Sequence, residues 1–212
     1  MSDAPLPSRK RRAPDPGTRT RILEVARDII TESGLDGLKA RIVAKAAGTS
    51  VGTLYNTFGP IEELARLINA ETYDALHAHQ SEALASARAG GASPREQLHA
   101  LAFAYFDWVG GHRRQWLATM EFNRSGRGEP PAWYTERETA LLGIVADAVA
   151  GFGGERTEDE LHRIAFSLWA SIHGIVSMSL GRAGWLLPQD EVMARTAFVV
   201  DACAAKLESA TD

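Results

Sequence analysis

Residues 43–58 read VAKAAGTSVGTLYNTF, and this stretch decides the fold. Two short helical patterns flank Gly48, which permits a left-handed turn that would strain a residue with a Cβ atom. Ser50 stands where its side chain can cap the second pattern by accepting a hydrogen bond from the backbone. Two short helices joined by a glycine-containing turn predict a helix-turn-helix unit, in which the second helix enters the DNA major groove.

A longer helix precedes this unit and completes a three-helix domain, expected at residues 18–64. Its apolar residues recur at three- and four-residue spacing after Thr18, which fits an N-cap. The first short helix is predicted at about 38–47, and its inner side is expected to carry Ile42, Val43 and Ala46. The second short helix ends at about Phe58, because the proline of Gly59-Pro60 suits the start of a helix and not its interior.

The second short helix is expected to present one face to DNA. Leu54 and Phe58 are four residues apart, so they share the face that packs inward. Gly52 lets the backbone approach DNA closely, and Thr53 can reach a base edge or a phosphate. The residues predicted to contact DNA are Arg41, Lys45, Ser50, Val51, Gly52, Thr53, Tyr55 and Asn56.

This region resembles the N-terminal DNA-binding domain of the TetR (tetracycline-repressor-like) family of bacterial transcriptional regulators. The resemblance covers about residues 18–66 and rests on the pattern AAGTSVGTLYNTF, followed by EEL at 62–64. It implies that the Tyr55 hydroxyl contacts a phosphate, that the protein is a homodimer, and that its C-terminal domain binds a small effector. The expected protein is a repressor that binds a near-palindromic DNA operator and is released by its effector.

Three positions depart from the family pattern. Members often carry threonine where this chain has Leu38-Lys39, an aromatic residue or histidine where it has Thr57, and lysine where it has Ile61. These differences leave a second interpretation open, in which the chain is a ligand-binding sensor or interaction protein that has lost specific operator binding. Salt-dependent binding to a specific duplex separates the two interpretations.

Charge is distributed unevenly along the 212 residues. The first 60 residues hold 10 Lys and Arg against 6 Asp and Glu, whereas the remainder holds 13 against 21. Only the first 60 residues therefore carry the net positive charge that favours binding to a polyanion. Residues 1–17 carry four prolines and the run Arg9-Lys10-Arg11-Arg12, which predicts a disordered basic arm. This arm either reaches a neighbouring DNA groove or is a solvated tail.

Residues 65–209 are expected to form a larger helical domain for effector binding and dimerisation. Glycine and proline breaks divide the region, and no segment alternates convincingly with the two-residue period of a strand. Longer helices are predicted at about 61–89, 95–109, 112–124, 132–151, 157–181 and 189–209. The chain is therefore expected to be all-α, with about nine helices.

The stretch LWASIHGIVS at 168–177 resembles a TetR subgroup with a Trp–His–Gly signature in the C-terminal domain. Trp169 and His173 lie four residues apart on one helical face, so they can stack or share a cavity. Two roles stay open for His173. It is either a hydrogen-bonding group for an effector, or a satisfied core histidine beside Gly174, which permits close helix packing.

Aromatic residues are concentrated in the C-terminal part, and pockets between helices are mostly apolar with a few polar groups. This composition suits an apolar or aromatic effector. The candidate pocket residues are Trp116, Met120, Phe122, Trp133, Phe166, Trp169 and His173. The last two helices also carry apolar faces, and in the family such a pair forms a four-helix dimer interface.

Other classes of function find little support in the sequence. The chain has no nucleophile elbow, P-loop or HExxH motif, so we expect no enzyme. His77 and His79 diverge on a helix and lack a third ligand, so neither a metal nor a cofactor is expected. One cysteine, no signal peptide and no apolar run of membrane-spanning length predict a cytoplasmic protein without a membrane partner.

Overall fold

The computed structural model describes residues 16–125, 129–181 and 184–210. Within these residues the chain forms nine α-helices and no strand, which confirms the all-α prediction. The helices are α1 (Pro16–Ser33), α2 (Ala40–Ala46), α3 (Val51–Phe58), α4 (Ile61–Ala89), α5 (Pro94–Gly111), α6 (Arg113–Arg124), α7 (Ala132–Ala150), α8 (Glu158–Ser179) and α9 (Gln189–Glu208). A single 3-10 turn, Leu35–Gly37, follows α1.

Helices α1 to α3 and the first turns of α4 build an N-terminal domain around its own apolar core. This core consists mainly of Ile22, Ala26, Ile30, Val43, Leu54, Phe58, Leu64 and Ile68. Helix α1 begins at Pro16 and not at Thr18, because a proline in the first turn loses no helical hydrogen bond. The run from Arg9 to Arg12, predicted to form the basic arm, lies outside the described residues.

The inner side of α2 differs from the prediction. Ile42 is 45% exposed and Ala46 is also exposed, whereas Val43 and Ala44 are buried. The helix begins at Ala40, and residues 43 and 47, four apart, then lie on the side that meets the core. The prediction for Ile42 and Ala46 was therefore wrong. The buried face of α2 is displaced from the predicted face by about one residue.

Helices α4 to α9 build the C-terminal domain. Its core includes Leu76, Leu98, Val109, Trp116, Val149 and Val176, all fully or almost fully buried. Helix α4 packs against both α5 and α7, and α8 packs against α7 and α9. Because α4 is 29 residues long, it runs from the N-terminal core into the C-terminal core and joins the two.

Helix α6 also connects the two domains. Ala118 and Phe122 belong to the N-terminal core, whereas Trp116 belongs to the C-terminal core. At its start, Arg114 donates to the backbone carbonyl of Glu32 near the end of α1, and Gln115 Nε2 donates to Thr31 Oγ1 at 3.2 Å. A shift of α6 therefore moves side chains in both cores.

Candidate DNA-binding surface and ligand cavity

The turn before α3 is built as the sequence predicts. Gly48 has φ of +64°, in the left-handed region, and the amide of Thr49 donates to the carbonyl of Ala44 at 2.9 Å. Ser50 Oγ accepts from the Thr53 amide at 3.0 Å and so caps α3. Leu54 has no exposed surface, so α3 is held to the N-terminal core from one side.

The opposite side of α3 faces solvent. Tyr55 is 48% exposed, and Gly52 and Asn56 are also exposed. Arg41 and Lys45 extend this surface from α2, and neither forms an ion pair within the described part of the chain. Five predicted DNA-contacting residues are thus exposed, and together we call them the polar surface of α2 and α3.

Three other predicted contact residues have intramolecular partners. The Ser50 hydroxyl serves as the cap of α3 and lies 2.9 Å from Thr53 Oγ1. Thr53 lies in the first turn of α3, and its side chain is half-buried. Val51 packs partly against the N-terminal core, so its side chain contributes more to anchoring α3 than to the polar surface.

Arg19 is a further cation close to α3, although it was not among the predicted residues. Its guanidinium carbon lies 5.3 Å from the centre of the Phe58 ring, and the residue is exposed on the first turns of α1. The contact places a cation beside the C-terminal end of α3. The sequence signal for Arg19 is its position, because it is a basic residue one helical turn before the first apolar residue of α1.

Two of the positions that depart from the family pattern have structural roles. Thr57 Oγ1 donates to the backbone carbonyl of Thr53 at 2.7 Å, so its hydroxyl hydrogen is already used within α3. Ile61 is half-buried against the N-terminal core at the start of α4. Neither side chain offers a free cation or donor to a phosphate.

A cavity of about 410 Å³ lies between α4, α6, α7 and α8, and we call it the C-terminal cavity. Its volume falls within the range of small-molecule sites. The lining residues are Tyr73, Trp116, Met120, Asn123, Arg124, Glu138, Leu141, Leu142, Phe166, Trp169 and His173. Five of the seven predicted pocket residues are among them.

Phe122 and Trp133 do not line the C-terminal cavity, which corrects the prediction for these two residues. Phe122 faces the N-terminal core, where the Arg66 guanidinium lies 5.7 Å from its ring centre. Trp133 packs edge-on against Tyr134, with ring centres 5.8 Å apart, and beneath Arg137.

His173 is hydrogen-bonded within the chain and also lines the C-terminal cavity. The Tyr105 hydroxyl lies 2.7 Å from Nδ1, and Ser177 Oγ lies 3.1 Å from Nε2, both within hydrogen-bond distance. The ring stacks on Trp169, with centres 4.9 Å apart and planes at 8°. Burial, together with the nearby Arg124 charge, lowers the pKa of His173, so the ring lines the cavity as a neutral group.

Gly174 has no packing role within the described chain. A Cβ atom built at this position would meet nothing within 4 Å. The expectation that Gly174 permits close packing against another helix of the same chain is therefore wrong. The residue lies on α8 with open space beside it.

One wall of the C-terminal cavity is a network of hydrogen bonds. The Tyr73 hydroxyl donates to Glu138 Oε1 at 2.7 Å, and Asn123 Nδ2 donates to the same oxygen at 3.0 Å. The Tyr134 hydroxyl donates to Asn123 Oδ1 at 2.8 Å. Burial, followed by the charges of Tyr134 and Glu138, raises the pKa of Tyr73, so its hydroxyl stays protonated. Sequence reasoning missed these groups because their spacing along the chain shows no pattern.

A second space, the interdomain cleft, opens beside the C-terminal cavity. It has about 680 Å³ and lies between the end of α1, α6 and the end of α8. Met120 and Arg124 line both the cleft and the C-terminal cavity. The cleft is also lined by Glu32 at the end of α1 and by Asp36 in the 3-10 turn that follows it.

The outer sides of α8 and α9 form a further apolar surface. Leu168, Ile172, Val176 and Val200, which were expected to form apolar faces, are buried in the core of their own chain. Phe198 is 74% exposed and is the largest apolar side chain on the outer side of α9. A groove between the two helices is lined by Ile164, Val199 and Cys203, among others.

The described residues provide no cluster of histidine, cysteine and acidic side chains that fits a metal ion. None of the described helices combines the length and the apolar character needed to cross a membrane.

Comparison with known proteins identifies both domains. The family profile described as bacterial regulatory proteins of the tetR family matches residues 22–68, and that of the tetracyclin repressor-like C-terminal domain matches residues 98–202. No protein of curated function matches the chain.

Solved structures share the fold over nearly the whole chain. A protein of unknown function from Rhodococcus sp. RHA1 is 25% identical, with a TM-score of 0.69 over 89% of this chain and 94% of its own. A transcriptional regulator from the same organism is 21% identical, with a TM-score of 0.67 over 89% and 96%. The ketosteroid transcriptional regulator KstR2 of Mycobacterium tuberculosis is 21% identical, with a TM-score of 0.61 over 90% and 96%.

The two profile matches together cover most of the chain, and they coincide with the helix-turn-helix domain and the domain that contains the cavity. Members of this family are transcriptional regulators and not enzymes. The chain belongs to the TetR family of bacterial transcriptional regulators, with an N-terminal DNA-binding domain and a ligand-binding C-terminal domain.

Proposed function

We propose that the protein is a cytoplasmic, homodimeric repressor that binds a near-palindromic operator and leaves it when a small molecule occupies the C-terminal cavity. The observation that carries this proposal is the position of α6. Its side chains line the C-terminal cavity on one face and enter the core that anchors α3 on the other. Ligand binding and DNA binding therefore share one structural element.

The polar surface of α2 and α3 supports the DNA-binding half of the proposal. Tyr55, Arg41 and Lys45 contact phosphates, and Arg19 adds a further cation beside the end of α3. Thr53 and Asn56 face the base edges. Ser50 acts by holding the first turn of α3 in place, and Val51 by packing beneath it.

The outer face of α8 and α9 supports dimerisation. The exposed Phe198 and the small residues beside it, such as Ala194 and Ala202, leave an apolar surface that a second copy covers. A two-fold dimer presents two copies of α3, which enter successive major grooves about 34–36 Å apart. The operator is therefore a near-palindrome whose half-sites lie one helical turn or a multiple of it apart.

Release from DNA follows from a shift between two conformations. A ligand in the C-terminal cavity contacts Met120 and Arg124 and favours the position of α6 in which these side chains accommodate it. Through Arg114 and Phe122, α6 then repositions α1 and the N-terminal core. Operator DNA must weaken ligand binding by the same factor.

A second candidate function is a sensor that has lost specific operator binding. The engaged hydroxyl of Thr57 and the apolar Ile61 favour it, because both stand where family members often carry a phosphate contact. Arg19 supplies one cation close to α3 that offsets this loss. We therefore retain DNA binding as the main proposal.

Gly52→Ala is expected to stabilise the fold and weaken DNA binding at the same time. A Cβ atom at Gly52 meets only Ser50 Oγ, at 3.6 Å, and alanine is favoured over glycine in a helix by about 0.5–1 kcal/mol. The same methyl group faces DNA and keeps the backbone away from the duplex, which lowers affinity about tenfold. Thermal unfolding and fluorescence anisotropy with labelled DNA measure the two effects. Unchanged DNA affinity would exclude close contact at this position.

Thr53→Ala and Tyr55→Phe are expected to act differently on DNA recognition. Removing the Tyr55 hydroxyl deletes a phosphate contact, so affinity falls by about 0.5–1.5 kcal/mol on every duplex alike. Removing the Thr53 hydroxyl changes which bases are preferred in each half-site. Selection from a randomised duplex pool measures both profiles. Identical profiles for the wild type and Thr53→Ala would contradict a base-reading role.

A further inference from the structure

The inner end of the C-terminal cavity holds a buried donor without a partner. Trp116 is 1% exposed and lines the cavity, and its indole Nε1–H has no hydrogen-bond partner within the described chain. The Tyr105 hydroxyl lies beside this indole without the geometry of a hydrogen bond, and it lies 2.7 Å from His173 Nδ1. An unpaired buried donor costs free energy that an acceptor atom on a ligand would recover.

The outer end of the C-terminal cavity holds a cation that forms no ion pair. Arg124 is exposed, and no carboxylate in the described residues forms an ion pair with it. It follows Trp116 by eight residues on α6, which corresponds to about 12 Å along the helix axis. A guanidinium presents several donors in a plane and binds carboxylate or sulfonate groups well.

The remaining polar groups of the cavity wall are already satisfied. Both nitrogens of His173 are engaged, and both hydrogens of the Asn123 amide are directed to Tyr73 and Glu138. Glu138 accepts two hydrogen bonds on Oε1 and disfavours a second anion beside it. Arg124 is therefore the group that determines the charge of a ligand.

We infer that the C-terminal cavity takes an amphipathic organic anion. Its apolar, preferably aromatic, body lies among the aromatic and aliphatic side chains of the cavity, with an acceptor atom towards Trp116 and one anionic group on Arg124. The apolar walls are formed by Tyr73, Met120, Leu141, Leu142, Phe166 and Trp169. The inference rests on the proposed ligand-binding function and specifies the class of ligand.

The location of Arg124 also connects the anionic group to the DNA-binding domain. Arg124 lines the interdomain cleft as well as the C-terminal cavity, and the cleft is also lined by Glu32 at the end of α1 and Asp36 in the following 3-10 turn. An anion on Arg124 therefore lies on the side of the cavity that faces the N-terminal domain. The side chain that binds the anionic group of the ligand therefore also borders the interdomain cleft.

Two fluorescent probes test the inference, because they share one ring system and differ in charge. The probes are 8-anilinonaphthalene-1-sulfonate and its neutral analogue N-phenyl-1-naphthylamine. Arg124→Gln is expected to weaken binding of the sulfonate about tenfold and to change binding of the neutral probe by less than about twofold. Arg124→Lys, which keeps the charge, should retain most of the affinity for the sulfonate.

Two further variants control for location and for non-specific charge effects. Leu142→Trp fills the C-terminal cavity and should remove binding of both probes. Arg88→Gln removes an arginine that pairs with Asp147 on the surface, and it should leave both affinities unchanged. Equal effects of Arg124→Gln on both probes, or no effect on either, would overturn the inference.

The DNA-binding proposal is tested separately by the affinity of the wild-type protein for DNA without any probe. A wild-type protein that binds no DNA would refute the proposed function, while the probe measurements would still decide the class of ligand.

Discussion

Leu54→Ala is expected to abolish specific DNA binding while leaving the fluorescence of all five tryptophans unchanged. Leu54 has no exposed surface, and its truncation in a packed core costs about 2–5 kcal/mol. Helix α3 has eight residues and is not stable without its packing. The tryptophans all lie in the C-terminal domain, so their emission reports that domain alone.

Anisotropy with labelled DNA, thermal unfolding and tryptophan emission measure this result in one preparation. Ile42→Ala serves as the matched control, because Ile42 is also aliphatic and lies in the same domain but is 45% exposed. It should change the free energy of unfolding by less than about 1 kcal/mol. Wild-type DNA affinity in Leu54→Ala would show that α3 does not depend on this core contact.

Phe198→Glu is expected to convert a dimer into a monomer. Phe198 is 74% exposed on the outer side of α9, where a second copy would bury it. A carboxylate in that apolar interface has no counter-charge and faces its own copy across the two-fold axis. Loss of the second recognition helix should lower DNA affinity by at least about 100-fold, because two linked contacts are replaced by one.

Sedimentation velocity and DNA anisotropy measure the two effects of Phe198→Glu. Phe198→Leu keeps an apolar side chain and should remain dimeric. The α5–α9 packing on the inner side of α9, for example at Val192 and Val200, is untouched by either change. A Phe198→Glu variant that still sediments as a dimer would exclude this face from the dimer interface.

Much of the helical framework could be predicted from local sequence signals. Helix α4 spans Ile61–Ala89 as expected, because a proline precedes it and paired glycines follow it. Helices α5 and α8 begin after Ser93 and Thr157, whose side chains cap them together with a glutamate three residues later. Such signals are local, so they do not depend on how the helices pack.

The direction in which side chains point in the tertiary structure was harder to predict from the sequence. Phe122 and Trp133 have the same aromatic character as Trp116 and Trp169, yet only the latter pair lines the C-terminal cavity. Which face of α6 or α7 meets the cavity depends on the packing of several helices, and composition carries no information about it.

The polar wall of the cavity could not be predicted from the sequence either. Tyr73, Asn123 and Glu138 come from α4, α6 and α7, and their hydrogen bonds join residues that lie 15 to 65 positions apart. The unpaired indole of Trp116 is likewise visible only once its surroundings are known. Arg124, which was not among the predicted pocket residues, changed the expected ligand from an apolar or aromatic molecule to an amphipathic anion.

The proposed protein is a sequence-specific, two-fold symmetric DNA-binding regulator. The most direct test is selection of source-genome DNA fragments by the purified protein at physiological salt, followed by sequencing. We expect enrichment of one short near-palindrome, bound by two chains per site and weakened as salt increases. Weak binding without enrichment of any sequence would contradict it, and the ligand-sensor function would take its place.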